Sequence, residues 1–95
     1  MIQHTVAFRL SPSSDLDEFL GRARQLGTLD GVQDFEVLRQ VGHKNDFTHA
    51  LSMRFASQQE YDGYNENPAH LAFVKGVWIP QVDDFIELDY VADDG

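Results

Sequence analysis

The chain has 95 residues, no cysteine, and 16 acidic against 7 basic side chains, which gives a net charge of −9. Without cysteine there are no disulfides and no thiolate nucleophile or metal ligand, and the acidic excess argues against a nucleic-acid partner. The length fits a single domain over residues 1–95, no apolar run is long enough to span a membrane, and no secretory leader is recognisable, so we expect a cytoplasmic protein that binds no membrane.

The N-terminal residues alternate between apolar and polar side chains, which predicts a first β-strand over Met1–Leu10. Ser14 or Asp15 then offers a helix cap. The apolar stripe of the following helix consists of Leu16, Phe19, Leu20, Ala23 and Leu26. Gly27 or Gly31 is expected to end this segment.

Two further strands are predicted in the middle of the chain, at Val32–Val41 and Phe47–Phe55, with a polar turn between them. The second of these strands alternates most clearly, with phenylalanine, histidine, leucine and methionine on one face. Ser57 and Glu60 follow at the spacing of a helix capping box. A short helix that carries Tyr61 and Tyr64 on one face is therefore expected next.

The C-terminal third predicts one more helix and one more strand. Asn67 is expected to cap this helix, and Pro68 to occupy its first position, where a missing N–H is tolerated. The helix is expected to run to about Trp78 and to stop at Pro80. A fourth strand is predicted at Asp84–Val91.

The predicted element order is β-α-β-β-α-α-β, which indicates a ferredoxin-like α+β sandwich. Its four-stranded antiparallel sheet would have the strand order 4-1-3-2, with all helices on one face. The sequence leaves open which face of the fourth strand carries Glu87 and Asp89, because either set of alternating residues can face the helices.

Three histidines occupy positions that their patterns reserve for apolar residues: His4, His49 and His70. Their faces meet between sheet and helices, where Tyr64 also points. A largely apolar pocket with a few polar groups is typical of a small-molecule site. The other expected lining residues are Phe8, Phe19, Leu51, Phe73 and Val77. The alternative is that these polar groups only satisfy one another in the core, since an unpaired buried polar group costs about 1–3 kcal/mol.

The opposite sheet face carries small or cationic residues, a mixture unsuited both to a monomer core and to ordinary solvent exposure. These residues are Thr5, Ala7, Arg9, Thr48, Ala50, Ser52 and Arg54. Small side chains would allow a second sheet to approach, and Arg9 and Arg54 would then pair with acidic residues such as Glu36. We therefore expect a homodimer formed through this face.

Several segments together resemble the stress-responsive dimeric A/B barrel (Dabb) family, over essentially the whole chain. They read "IQHTVAFRL", "DGVQDFEVLRQV", "DFTHALSMRFAS", "YNENPAHLAFV" and "LDYV". The resemblance implies ferredoxin-like units whose sheets pair into a dimeric α+β barrel. It extends to olivetolic acid cyclase, a plant polyketide cyclase, and by that likeness Tyr64 and His70 are a catalytic pair, and His4 and His49 are pocket residues. Asn67 departs from that pattern, in which a further histidine occurs.

The resemblance implies a cyclase or isomerase that needs no cofactor and acts on a polyketide-like or other apolar carbonyl compound. His70 would be the general base and Tyr64 would donate a hydrogen bond to the carbonyl oxygen. One alternative is a non-enzymatic stress-response or ligand-binding barrel protein. A three-histidine metal site is less favoured, because the histidines lie on separate elements, and no motif of cofactor-free monooxygenases or haem-degrading proteins is present.

Overall fold

A computed structural model describes residues 1–94 of the chain, and its four strands form one antiparallel sheet. The strands are β1 (Ile2–Leu10), β2 (Gln33–Arg39), β3 (His49–Phe55) and β4 (Val82–Val91). Their order is β2-β3-β1-β4, which is the predicted order read from the other edge. The expected ferredoxin-like α+β fold is thereby confirmed.

The helices pack against one face of this sheet. They are α1 (Leu16–Ala23), α2 (Gln58–Glu66), α3 (Pro68–Phe73) and the short α4 (Ile79–Gln81). A 3₁₀ turn at Arg24–Thr28 follows α1, and a π-helical turn at Val74–Trp78 joins α3 to α4. Over the part of the chain that the structure describes, no helix is long and apolar enough to cross a membrane.

Side-chain caps begin the three longer helices. Asp15, Ser57 and Asn67 each accept a hydrogen bond from a backbone N–H of the first turn, at 3.1, 3.2 and 2.9 Å. Such a bond satisfies a donor that has no partner within the helix. Asp15 rather than Ser14 therefore caps α1, and Pro68 takes the first position of α3 as predicted.

Predicted boundaries are wrong at two places in the chain, around the β2–β3 loop and at the end of the last helix. The strands β2 and β3 are shorter than expected, because the Gln40 side-chain amide donates to the Phe47 carbonyl and to Asn45 Oδ1, so the chain between them forms a loop of its own. The helix after Pro68 does not stop at Pro80, because this proline lies in the first turn of α4, where no N–H is required.

The core lies between the sheet and the helices. From the sheet it contains the inward residues of β1 and β3, and Phe8, Leu51, Met53 and Phe55 are at most 1% exposed. From the helices it contains Phe19, Leu20, Ala23, Leu26, Tyr61, Tyr64, Phe73 and Val77. These residues follow the period of 2 in the strands and the helical stripes of α1 and α3.

Gly27 lets the turn after α1 approach β2 closely, because a Cβ built at this position would lie 2.9 Å from Phe35 Cγ. We expect Gly27→Ala to lower the free energy of unfolding by about 1–3 kcal/mol through overpacking. Gly21, on the exposed side of α1, has no atom within 4 Å of a built Cβ. Gly21→Ala should therefore stabilise the protein, by up to about 1 kcal/mol through helix propensity. Denaturant titration of both variants measures the difference, and equal effects would contradict the close approach.

The outward sheet face is partly apolar at its centre. Ala7 lies between Ala50 and Ile86 in the strand register, and Ile86 is 44% exposed. Beside them, the hydroxyl oxygens of Thr5 and Ser52 lie 3.2 Å apart. Exposed apolar side chains on this face also include Leu38 and Tyr90. The face thus presents small and apolar groups without cover from the chain's own helices.

Candidate active site

A cavity of about 380 Å³ lies between the sheet and the segment from α2 to α4. Its apolar lining comes from both layers: Val6, Leu26, Leu51, Met53, Leu71, Phe73, Val74, Trp78, Ile79 and Phe85. Its polar lining residues are His4, Tyr61, Tyr64, Asn65, His70 and Glu87. A mainly apolar cavity with a small number of polar groups matches the usual composition of a small-molecule site.

Five of the residues expected at the site line this cavity, namely His4, Leu51, Tyr64, His70 and Phe73. They come from β1, β3, α2 and α3, so the fold brings together groups that are up to 69 positions apart in the chain. Four other expected residues do not line it.

Phe8, Phe19 and Val77 lie in the core rather than at the cavity surface. The Phe8 and Phe19 rings are fully buried, and their centroids lie 5.2 and 6.0 Å from the ring of Trp78. Trp78 contacts both rings and itself lines the cavity. These phenylalanines therefore support the wall and do not contact a ligand.

His49 also lies away from the cavity. It pairs with Phe8 across β1 and β3, at the end of β3 next to the loop after β2. Its Nδ1 is 2.9 Å from Thr48 Oγ1, and burial together with the nearby Arg39 lowers the pKa of His49. The alternating pattern gave its face correctly, but the position along the strand separates it from the site.

The register of β4 places Glu87 and Asp89 on the cavity side of the sheet. Asp89 lies opposite His4, and Glu87 opposite Val6. The residues that alternate with them, Ile86, Leu88 and Tyr90, consequently lie on the outward face. The register thus decides which face of β4 carries Glu87 and Asp89, which the sequence left open.

Asp89 connects β4 to β1 and α2 through a hydrogen-bonded triad with His4 and Tyr61. The distance from His4 Nδ1 to Asp89 Oδ1 is 2.5 Å, and the Tyr61 hydroxyl donates to both Asp89 oxygens, at 3.1 and 3.0 Å. Burial and the neighbouring Asp89 raise the pKa of Tyr61, so its phenol stays protonated and donates. Because Nδ1 of His4 is directed at this carboxylate, its other ring nitrogen, Nε2, is the atom left to contact a ligand.

His70 and Tyr64 form a second polar pair, with ring centroids 4.3 Å apart. His70 Nδ1 donates to the carbonyl oxygen of Asn65 over 3.3 Å, which leaves Nε2 as the acceptor atom. Burial lowers the pKa of His70, although the Asn65 carbonyl and Glu87 act in the opposite direction. The imidazole is therefore mainly neutral at neutral pH, as a general base requires.

Tyr64 is buried to 2% exposure, and burial and the Glu87 carboxylate raise the pKa of its phenol. The hydroxyl thus stays protonated at neutral pH. Tyr64 lines the cavity, so its hydroxyl can donate a hydrogen bond to a ligand there. A phenol of this kind stabilises negative charge that develops on a carbonyl oxygen.

The sequence pattern missed Tyr61, Trp78, Glu87 and Asp89. Tyr61 shares a helix face with Tyr64, which was a usable signal. Trp78 directly follows Val77, the last residue of the predicted apolar stripe, and it lies in the π-helical turn. The two carboxylates could not be assigned, because the phase of β4 was undecided.

The described part of the chain contains no cluster of side chains suited to binding a metal ion. Within residues 1–94 no three His, Asp or Glu side chains lie close enough to hold a metal ion. His4 and His70 line the cavity, whereas His49 lies outside it. The three histidines therefore do not form one coordination site.

Comparisons with known proteins agree with this architecture. The family model described as the stress responsive A/B barrel domain matches residues 2–92. A curated relative, a stress-response A/B barrel domain-containing protein of Arabidopsis thaliana, is 28% identical over 98 residues, which cover 98% of this chain and 37% of the relative. The chain thus spans little more than a third of that protein's length.

Solved structures share the whole fold. A Dabb family protein with a ferredoxin-like fold from Mesorhizobium loti is 45% identical, with a TM-score of 0.89 over 96% of this chain and 95% of the other. The hydroxynitrile lyase from Passiflora edulis is 18% identical, with a TM-score of 0.87 over 99% and 94%. A dimeric ferredoxin-like protein of unknown function from Thermobifida fusca is 14% identical, with a TM-score of 0.79 over 96% and 90%. At these lower identities the likeness concerns the fold alone.

Proposed function

The chain belongs to the stress-responsive A/B barrel domain family, and from this premise we propose that it binds a small apolar carbonyl compound in the cavity and acts on it without a cofactor. The proposed reaction removes a proton from a carbon next to the carbonyl group, as in ring closure or isomerisation of a polyketide-like substrate. The contact between His70 and Tyr64 in the wall of a mainly apolar cavity carries this proposal.

In the proposed reaction His70 acts as the general base. Its Nε2 takes the proton from the carbon, and the electron pair of the C–H bond moves into the enolate. Negative charge then develops on the carbonyl oxygen, to which the Tyr64 hydroxyl donates a hydrogen bond. Burial supports both roles, because it keeps the imidazole neutral and the phenol protonated.

His4 has a binding role in this proposal. Asp89 and Tyr61 hold its imidazole in one orientation. Its free Nε2 accepts a hydrogen bond from a hydroxyl or enol group of the ligand. This places two imidazoles and one phenol around a ligand that is otherwise surrounded by apolar side chains.

Two similarities to known enzymes support an enzymatic role, although the proposal does not depend on them. A protein of this fold is a hydroxynitrile lyase, so the fold can hold a lyase site. The correspondence of Tyr64 and His70 to the catalytic pair of olivetolic acid cyclase belongs to the same proposal. A non-enzymatic ligand-binding protein is the second candidate, because His4, Tyr61 and Asp89 already satisfy one another as a structural unit.

Ligand binding and turnover distinguish these candidates. Trp78 is the only tryptophan of the chain and lines the cavity, so its fluorescence reports an occupied site. We expect apolar 1,3-dicarbonyl compounds to change this fluorescence and to be consumed by the wild-type protein. Tyr64→Phe should bind them but turn them over about 100–1000-fold more slowly, as after loss of one oxyanion donor.

The possible outcomes of this screen are distinct. Binding without turnover in the wild-type protein would favour the non-enzymatic candidate. Neither binding nor turnover by any compound of the series would contradict the ligand-site proposal as a whole. Turnover that is equal in wild type and Tyr64→Phe would remove Tyr64 from the mechanism.

The same proposal includes two further points. The chain is a single cytoplasmic domain, and two copies of it form a homodimer by pairing their outward sheet faces. Ala50 lies near the centre of this face, next to Ala7. We expect sedimentation equilibrium at micromolar concentration to give twice the chain mass. Ala50→Glu should shift it to the monomer, because an unpaired charge in an apolar interface is costly. Gln59→Glu adds the same charge on exposed α2 and should leave the dimer intact. A monomeric wild-type protein would contradict this assembly.

A further inference from the structure

Among residues 1–94, Glu87 is the only carboxylate that lines the cavity, and no lysine or arginine lines it. It lies on β4, on the cavity side and opposite Val6. The side chain is exposed, so it stands at the open edge of the cavity rather than in its floor. A ligand that enters therefore meets one negative group and no fixed positive group.

Aromatic rings flank this carboxylate. Phe85 shares the cavity face of β4 with Glu87, two positions away, which places their Cβ atoms roughly 7 Å apart. Phe85 is 48% exposed and stands edge-on to Trp78, with centroids 5.6 Å apart and an interplanar angle of 79°. A carboxylate next to accessible aromatic rings is an arrangement that favours organic cations.

The negative field extends across the cavity. The Glu87 carboxylate adds to burial in raising the pKa of Tyr64, and it acts against burial in setting the pKa of His70. Asp89 contributes a second carboxylate behind His4. An acidic ligand would be repelled by these charges and would find no cationic partner, whereas a protonated amine would be attracted.

We propose that the cavity selects ligands that carry a protonated amine, which pairs with Glu87 and packs against Phe85 and Trp78. This inference rests on the proposed function and narrows its substrate class to amine-bearing carbonyl compounds. Glu87 is then a residue that determines specificity, and carboxylic acids are excluded.

Three probes with the same apolar chain test this selection: octylamine, octanol and octanoate. Their dissociation constants are measured from Trp78 fluorescence and by calorimetry, at neutral pH and low salt. In the wild-type protein we expect octylamine to bind about 10-fold more tightly than octanol, from an exposed ion pair and a cation–π contact. Octanoate should bind more weakly than octanol. In Glu87→Gln the preference for octylamine over octanol should disappear.

Glu66→Gln is the matched control, because it removes the same charge from an exposed residue outside the cavity lining. The Glu66→Gln variant should keep the preference for octylamine. If this variant loses the preference, the assignment to Glu87 is overturned. If wild type binds octanol but does not prefer octylamine, the inference is overturned while the ligand-binding cavity stands. If none of the three probes binds, the inference is overturned, and the proposed function then depends on the separate result with the 1,3-dicarbonyl compounds.

Discussion

His70→Gln is expected to lower turnover by about 10²–10⁴-fold, the usual contribution of a general base. Glutamine occupies a similar volume and offers its own hydrogen-bonding groups to the Asn65 carbonyl, but it does not accept a proton at neutral pH. Because His70 is only half-buried, the free energy of unfolding should change little. Paired measurements of steady-state rates and thermal melting separate a catalytic role from a structural one.

The pH dependence gives a second readout for the same residue. The base is active when neutral, so the rate should fall as pH drops through the pKa of His70. Burial lowers that pKa below the ordinary value of about 6.5, so the acid limb of the wild-type profile should lie below pH 6.5. The same shift makes the neutral form the favoured one in the folded protein. The neutral His70 therefore contributes stability above about pH 6.5. This stability is lost as pH falls from there toward the lowered pKa, because the unfolded chain binds the proton first.

His43→Gln is the control for His70, since His43 is exposed in the loop between β2 and β3. It should leave both the rate and the acid limb unchanged. Turnover that survives in His70→Gln would show that the base is another group, and His4, whose Nδ1 is held by Asp89, would be the next candidate. A melting temperature that falls together with binding in His70→Gln would instead indicate a structural histidine.

Phe19→Ala is expected to lower the free energy of unfolding by about 3–5 kcal/mol, the range for deletion of a buried phenylalanine. The ring is fully buried and lies within 5.3–6.0 Å of the rings of Phe8, Phe73 and Trp78. Domains of this size are stable by only about 5–15 kcal/mol, so the loss is a large fraction of the total. It should also loosen Trp78 and weaken ligand binding in the protein that remains folded.

Leu16→Ala is the matched control on the same helix, because Leu16 is 36% exposed at the start of α1. Urea titration should show a much smaller loss for this variant than for Phe19→Ala. Similar losses would mean that α1 contributes through helix stability alone and not through the aromatic layer below the cavity. Retention of tight ligand binding in folded Phe19→Ala would show that the cavity wall does not depend on this ring.

Much of the fold follows from interactions between residues close in the chain. The alternation in β1 and β3, the stripe of α1, and the caps Ser57 and Asn67 depend on near neighbours, so they can be predicted from the sequence, whereas the cap of α1 was open between Ser14 and Asp15. The strand ends near residue 40 and the passage of the helix beyond Pro80 were not predictable. They depend on the side-chain hydrogen bonds of Gln40 and on where a π-helical turn interrupts the helix.

The candidate site was predictable where a polar residue interrupted an apolar pattern. His4, Tyr64 and His70 were identified in this way, and all three line the cavity. Phe8, Phe19 and Val77 were expected there because they point in the same direction. Direction is set by the local period, but depth below the surface depends on what packs above, which for Phe8 and Phe19 is Trp78.

The sequence by itself determined the element types, the strand order and the convergence of three of the polar side chains. Only the tertiary structure decided the phase of β4, and with it the positions of Glu87 and Asp89 at the site. Both faces of β4 carry apolar residues, since Ile86 and Leu88 lie outward and Phe85 lies inward. Alternation alone therefore offers no preference, and a shift of one residue would exchange the faces. The pairing of Asp89 with His4 across β1 and β4, together with its hydrogen bonds to Tyr61, selects one of the two.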